Sequence, residues 1–256
     1  MSETEIVNAV VANTNFMIKS VFDSVDTVSV EFKDDISLTS SDIPDETFNY
    51  ILETNFTKET ASARIKQLAD YFKQKNVPWT WWVGPGDTPE ELEIDLAKNG
   101  FVKKEESVGM YCDIPPKSMM QNNTEIDFRR VTNKSQLQDF YHVHASTEFD
   151  RVWSKISPRF FLDKTPLEFY VGYVARKPVT AGLIAFHAQV GGIYSVATAE
   201  SERKKGHATA LMQFFLKRIE DRGYQYAVLT ASNEAKNLYT KLEFKECCLL
   251  RAWAKS

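Results

Sequence analysis

At 256 residues, 43% apolar and 26% charged, the chain is long enough for one large or two ordinary soluble domains with real cores. Its 31 basic and 35 acidic side chains leave a formal charge of −4 with no long basic run, which argues against a nucleic-acid footprint. No apolar run reaches the length of a membrane span, and the acidic start MSETEIVNAVVANTNFMIKS lacks the charged-then-apolar order of a secretory signal, so a cytoplasmic protein off the membrane is expected. Cys112, Cys247 and Cys248 form neither a disulfide framework nor a zinc spacing. They read as small buried or half-buried residues, and no metal is expected.

In chain order, Phe16, Val21, Phe22 and Val25 are spaced as on a helix, while Thr27 to Phe32 alternates as a strand and Ile36 to Thr39 suggests another. Pro44-Asp-Glu ahead of Phe48, Ile51 and Leu52 predicts a helix start. Ala61, Ile65, Leu68, Ala69 and Phe72 fall on one helical stripe that ends near Lys75-Asn76. Pro78 to Val83 is a compact aromatic strand whose tryptophans read as core, with Trp81 or Trp82 lining a groove as the alternative. Gly84-Pro-Gly-Asp-Thr-Pro89 is a turn in which Asp87 or Thr88 could cap the next helix, the one bearing Leu92 and Leu96. That helix stops at Asn99-Gly100. Phe101 opens a strand, and Ser107 to Asp113 alternates as the next.

Ile114-Pro-Pro-Lys-Ser-Met-Met-Gln-Asn-Asn-Thr124 breaks all periodicity and predicts a linker. We therefore divide the chain into 1–113, a linker at 114–125, and 126–256. The second part opens on a strand, Ile126 to Val131. Asn133 can cap a helix through Leu137, Phe140, Tyr141 and His144, whose two histidines, His142 and His144, read as structural. A loop with Glu148, Asp150, Arg151 and Trp153 follows, then a short helix near 156–162. Glu168 to Ala175, Val179 to His187 and Ile193 to Ala197 form an antiparallel meander. After a helix with Ala208, Leu211, Met212, Phe215, Leu216 and Ile219 on one face come a strand at 226–229, a helix with Ala235, Leu238, Tyr239 and Leu242, and two strands at 244–248 and 249–253. Helix 60–75, strand 79–83, helix 89–98 and Phe101 match helix 207–222, strand 226–229, helix 233–241 and Phe244 in order, which is a weak internal repeat.

The stretch Gly192 to Leu211 carries the chemistry. A short apolar strand hands the chain, through a loop with Lys204, Lys205 and Gly206, to a helix. That geometry converges backbone N–H groups at the positive end of the helix dipole and suits a phosphate or pyrophosphate. The corresponding loop of the first half, Glu53 to Glu59, has no glycine, which makes one working site with a degenerate partner the expectation.

Over residues 126–256 the chain resembles the GCN5-related N-acetyltransferase (GNAT) superfamily. Arg203-Lys-Lys-Gly206-His-Ala208 fits that family's [Gln/Arg]-x-x-Gly-x-[Gly/Ala] loop, after the strand Tyr-Ser-Val-Ala-Thr. Ser232-Asn-Glu-Ala-Lys-Asn-Leu-Tyr-Thr-Lys-Leu-Glu-Phe244 is similar to the family's Asn-x-x-Ala-x-x-Leu-Tyr-x-x-x-Gly-Phe. The first half looks like a diverged repeat of tandem members. The resemblance implies an α/β (α+β) fold of two GNAT-like domains, each a mixed, mostly antiparallel sheet flanked by helices. It implies acetyl-CoA as cosubstrate and transfer of acetyl to a primary amine, on a small molecule or a protein, by direct attack. A non-catalytic acyl-CoA-binding module is the alternative.

Carried over by position, the backbone of Val196, Ala197 and Thr198 would pair with the pantetheine arm. Arg203, Lys204, Lys205, Gly206, His207, Ala208 and Thr209 would form the pyrophosphate loop. Val196 would also polarise the thioester carbonyl. Tyr239 would protonate the leaving thiolate, and Ser232 or Asn233 would reach the pantetheine chain. Three departures stand out. Counting back from Ala235, the family's asparagine falls on Ser232, with Asn233 one place late. Glu243 replaces the glycine before the final phenylalanine, and strand 192–198 has no carboxylate. The base is then a residue elsewhere, a water, or none if the amine arrives neutral; Glu148 and Asp150 are the candidates, although each reads more readily as solvated loop charge.

Overall fold

The structure, a computed structural model, describes residues 1–25, 27–33, 35–114, 125–145, 155, 167–232 and 235–255. The first half contains α1 (Glu3–Phe22), β1 (Val28–Lys33), β2 (Ile36–Ser41), β3 (Tyr50–Thr54), α2 (Lys58–Lys75), β4 (Thr80–Val83), α3 (Leu92–Lys98) and β5 (Phe101–Asp113). The second contains β6 (Asp127–Arg130), α4 (Lys134–His144), β7 (Leu167–Val174), β8 (Lys177–His187), β9 (Val190–Thr198), α5 (His207–Asp221), β10 (Tyr226–Ser232), α6 (Lys236–Thr240) and β11 (Lys245–Lys255).

The eleven described strands join one sheet in the order β1-β2-β3-β4-β11-β5-β10-β9-β8-β7-β6. The order reads almost the same from either side of its centre. β3 runs parallel to β4 as β9 does to β10, and each of those pairs is followed by a strand borrowed from the other half. β5 lies antiparallel to β10, from Tyr226 opposite Asp113 to Ser232 opposite Ser107. β11 returns to pair with β4 at Arg251 to Trp253 and with β5 along its length. The repeat read from element order thus reappears as matched pairing, with the last strand of each half exchanged.

Local chemistry accounts for the elements. Ser2 caps α1 and Glu5 closes a capping box. Thr57 caps α2, whose Ala61, Ile65, Leu68, Ala69 and Phe72 are buried as the stripe predicts, and left-handed Asn76 ends it. Asn133 caps α4 by accepting from the Gln136 amide at 3.0 Å. Trp81 is fully buried and its Nε1 donates to Thr54 Oγ1 at 3.0 Å, so it fills the core and lines no groove.

Three expectations need correcting. The helix predicted after Pro44 is only a single turn, Glu46–Phe48. Buried Asn49 stops it by accepting from the Ser41 amide at 2.8 Å and donating to Ile43 O and Asp45 O, after which the chain turns into β3. The strands expected at Phe101 and at 107–113 are one strand, because Val102 to Glu105 is exposed and therefore shows no alternation. The final two strands are likewise one, interrupted by a bulge between Glu246 and Cys248.

Helices cover both faces of the sheet. Along β10, Ala227 and Leu229 pack with α5, while Val228 between them packs with Ala9 and Val10 of α1. α4 shares the α1 face, through Leu137, Phe140 and Val143. α1 therefore crosses from its own half onto the strands of the second.

Candidate active site

Among the described residues β9 and β10 pair only at Gly191 with Ala227 and Gly192 with Val228, and the ladder stops there. The pinch point depends on Gly192, where a Cβ would come within 1.9 Å of Asn13 Oδ1. Asn13, fully buried on α1, donates to Ala185 O at 3.1 Å and His187 O at 2.9 Å and accepts from Tyr194 Oη at 2.8 Å. The first half thus pins β8 and β9 at the point where the gap begins.

Beyond the pinch β9 stays with β8, but its register slips. Leu183 faces Tyr194 and Ala181 faces Ala197, and within the slip Ser195 takes a left-handed φ of 52°. The Ala199 amide donates to Val179 O at 3.0 Å, so by antiparallel alternation Ala197 also addresses β8 while Val196 and Thr198 turn their amides toward the gap. Of the three residues expected to present backbone, the two flanking Ala197 face the open side.

The chain leaves β9 through a short turn, Glu200–Glu202, and reaches α5 with Lys204 and Gly206 both left-handed, at φ 62° and 81°. Alternation of this kind turns successive N–H groups to one side, as anion-binding nests do. No side chain caps α5, so the N–H groups of its first turn are not taken up in that way. Glu202 ties the loop down. Its carboxylate accepts from Lys177 at 2.7 Å and Lys205 at 2.8 Å and lies 3.7 Å from His207 Nε2. The two lysine hydrogen bonds hold that carboxyl at about 2.

Tyr239 lies half-buried on α6, its ring edge-on to Phe244, and packs with Val196 against the core cluster beneath α5. Burial pushes its hydroxyl up to about 12, so the phenol stays protonated at neutral pH. The residue in the family's glycine position, Glu243, adopts φ 65°, so the turn keeps its left-handed geometry and a side chain tolerates it. Ser232 ends β10 and its hydroxyl accepts from the Ala235 amide at 3.4 Å. Glu148, Asp150 and Asn233 lie outside the described residues. Sequence reasoning missed Ser195, whose bulge is hidden inside an ordinary-looking Tyr-Ser-Val-Ala-Thr strand. It also missed Glu202 and Asn13, whose partners are remote in sequence.

Residues 133–244 match the family model described as Acetyltransferase (GNAT) family. The second half of this chain carries the match to the GNAT acetyltransferases over those residues. It is an acyltransferase domain on that assignment, and the gap, the loop and Tyr239 all fall on or beside its matched residues. Among curated protein sequences none matches the chain. Among solved structures, a GCN5-related N-acetyltransferase from Kribbella flavida superposes with a TM-score of 0.68 at 11% identity, over 94% of this chain and 95% of that one. A functionally unknown conserved protein from Staphylococcus epidermidis gives 0.66 at 15% identity, over 90% and 94%. A tandem GNAT protein from the clavulanic acid biosynthesis pathway gives 0.65 at 9% identity, over 86% and 77%. At such identities the likeness is one of fold, and it extends across both halves. No described helix is long and apolar enough to cross a membrane.

Proposed function

We propose that the second half is an acetyl-CoA-dependent N-acetyltransferase that moves acetyl to a primary amine, with the first half as its partner domain. The observation that carries this reading is the edge of β9 that no described strand takes where the pairing with β10 stops, followed in the chain by a nest-like loop at a helix start without a side-chain cap. A peptide-like pantetheine arm adds to a free strand edge, and a pyrophosphate suits the loop. The thioester supplies an activated acyl group. Val196 and Thr198 would align it through their backbone, the Val196 N–H would polarise its carbonyl, and Tyr239 would hand its proton to the departing thiolate. No described residue of β9 is a carboxylate, so the amine's proton goes to a base outside this strand, with the loop of Glu148 and Asp150 the candidate.

The first half supports a partner role by what fills its matching gap. There the Thr88 amide donates to Thr54 O at 2.8 Å and the Phe56 amide to Thr88 O at 3.2 Å, so the chain's own loop takes the edge of β3. Asp87 locks the loop, accepting from the amides of Thr54 and Gly84, each at 2.7 Å. An edge already paired offers nothing to a second peptide-like chain. The acceptor follows from charge alone at the class level: a net charge of −4 favours a cationic amine, on a small molecule or a protein. The test measures release of CoA thiol from acetyl-CoA with a panel of primary amines, beside calorimetry of acetyl-CoA binding. Binding at one site per chain with turnover supports the reading. Binding without thiol release from any amine makes the protein an acyl-CoA-binding module.

A further inference from the structure

We infer that His144, at the end of α4, is a positioning residue that sets the direction of the Val196 N–H by holding the carbonyl before it. His144 is fully buried, and its Nε2 lies 3.0 Å from Ser195 O. Ser195 O and Phe140 O are both carbonyl oxygens and can only accept, so a neutral ring donates to one of them and only the doubly protonated ring to both; we take the Nε2 proton as the one directed at Ser195 O. Nδ1 sits 2.9 Å from Phe140 O one helical turn back, and the ring leans on Phe140 at 4.3 Å between centroids. These contacts fix the plane of the imidazole.

The consequence comes from peptide geometry. C=O and N–H point in opposite directions across a trans peptide, and the carbonyl of Ser195 shares its peptide plane with the amide of Val196. With Ser195 at φ 52°, its carbonyl turns toward α4. The Val196 N–H is therefore aimed away from α4, toward the side where Val196 and Tyr239 pack on the α5 cluster. A left-handed φ on a residue with a Cβ costs about 1 kcal/mol. The contact supplies a reason for that conformation to persist, since flipping the peptide would carry the Ser195 oxygen away from Nε2.

This inference rests on the acetyl-CoA reading above, and its test separates the two. Acetyl-CoA labelled with 13C at the thioester carbonyl is bound to the full chain and its carbonyl stretch recorded by infrared difference spectroscopy. The comparison covers wild type, H144Q, H144N and H144M. A glutamine amide reaches the place of Nε2 and an asparagine amide only that of Nδ1, while methionine keeps volume without a donor. The stretch is expected to fall below that of free acetyl-CoA in wild type and H144Q and to return toward the free value in H144N and H144M. The acetyl-CoA dissociation constant should stay within about threefold of wild type in all four, and kcat should drop roughly tenfold or more in the two donor-less variants with little change in KM. H144M stands in for H144N where the latter does not fold. A wild-type stretch in the donor-less variants overturns the inference, as does loss of binding and thermal stability in H144Q to the same degree as in H144M. An unshifted carbonyl in bound wild type also overturns it and leaves donor binding intact. Failure of acetyl-CoA to bind wild type strikes the underlying reading instead.

Discussion

Three side chains carry the sharpest expectations. Tyr239→Phe keeps the ring against Phe244 and removes the proton, so kcat should fall roughly ten- to a hundredfold at unchanged acetyl-CoA affinity. Because the group works as the neutral phenol and burial holds it up to about 12, the alkaline side of the rate profile should show no loss from Tyr239 until near that pH. Glu168 makes a different prediction. Burial alone would raise its carboxyl, but hydrogen bonds from Arg218, Arg222 and Tyr170 hold it down at about 2, against an ordinary 4.5. A folded value below the unfolded one means that its stabilisation is complete above about pH 4.5 and is lost as the pH falls toward 2. Urea unfolding of Glu168→Gln should show a loss on the order of 3 kcal/mol at pH 7, shrinking as the pH is lowered through that window. Glu243→Gly should move the other way. Relieving a left-handed φ of 65° is expected to raise stability by about 0.5–1 kcal/mol, read from the urea midpoint.

At the scale of elements, the loop before α5 is where sequence and structure agree most closely. Gly206 is left-handed and a Cβ there would meet nothing within 4 Å, so Gly206→Ala tests the backbone conformation alone. A cost of about 1 kcal/mol should weaken acetyl-CoA binding about fivefold by calorimetry, with the fold intact. Such features were legible because they are local: a glycine, a cap, a helical stripe such as Ala61 to Phe72. What stayed hidden was set by distant partners. The bulge at Ser195 is held by a histidine from α4, and the Gly192 pinch by an asparagine from α1, neither of which leaves a mark on the strand itself. β3 replaces the helix that Phe48, Ile51 and Leu52 suggest by their i, i+3, i+4 spacing, and the decision lies with Asn49 and with pairing to β4. The exposed run from Val102 to Glu105 hides the length of β5 for the same reason, since its order comes from β11.

At the scale of the whole molecule, the exchanged strands make the halves one ladder. A chain cut in the stretch 115–124 and reduced to 126–256 would leave β10 and β11 without β5 between them. That fragment is expected to be unfolded or aggregated when expressed alone and to recover a cooperative melt when 1–113 is supplied with it. An independently folded 126–256 would refute the expectation. The same arrangement sets a timetable for synthesis. β5 leaves the ribosome with both of its eventual neighbours still unmade, since β10 and β11 are the last strands of the chain. At usual elongation rates the wait is on the order of ten seconds. Throughout that interval a 13-residue edge stands open to any strand that meets it. The charged run Lys103-Lys-Glu-Glu106 on that edge is the kind of sequence that keeps strangers from pairing with it until the chain's own end arrives.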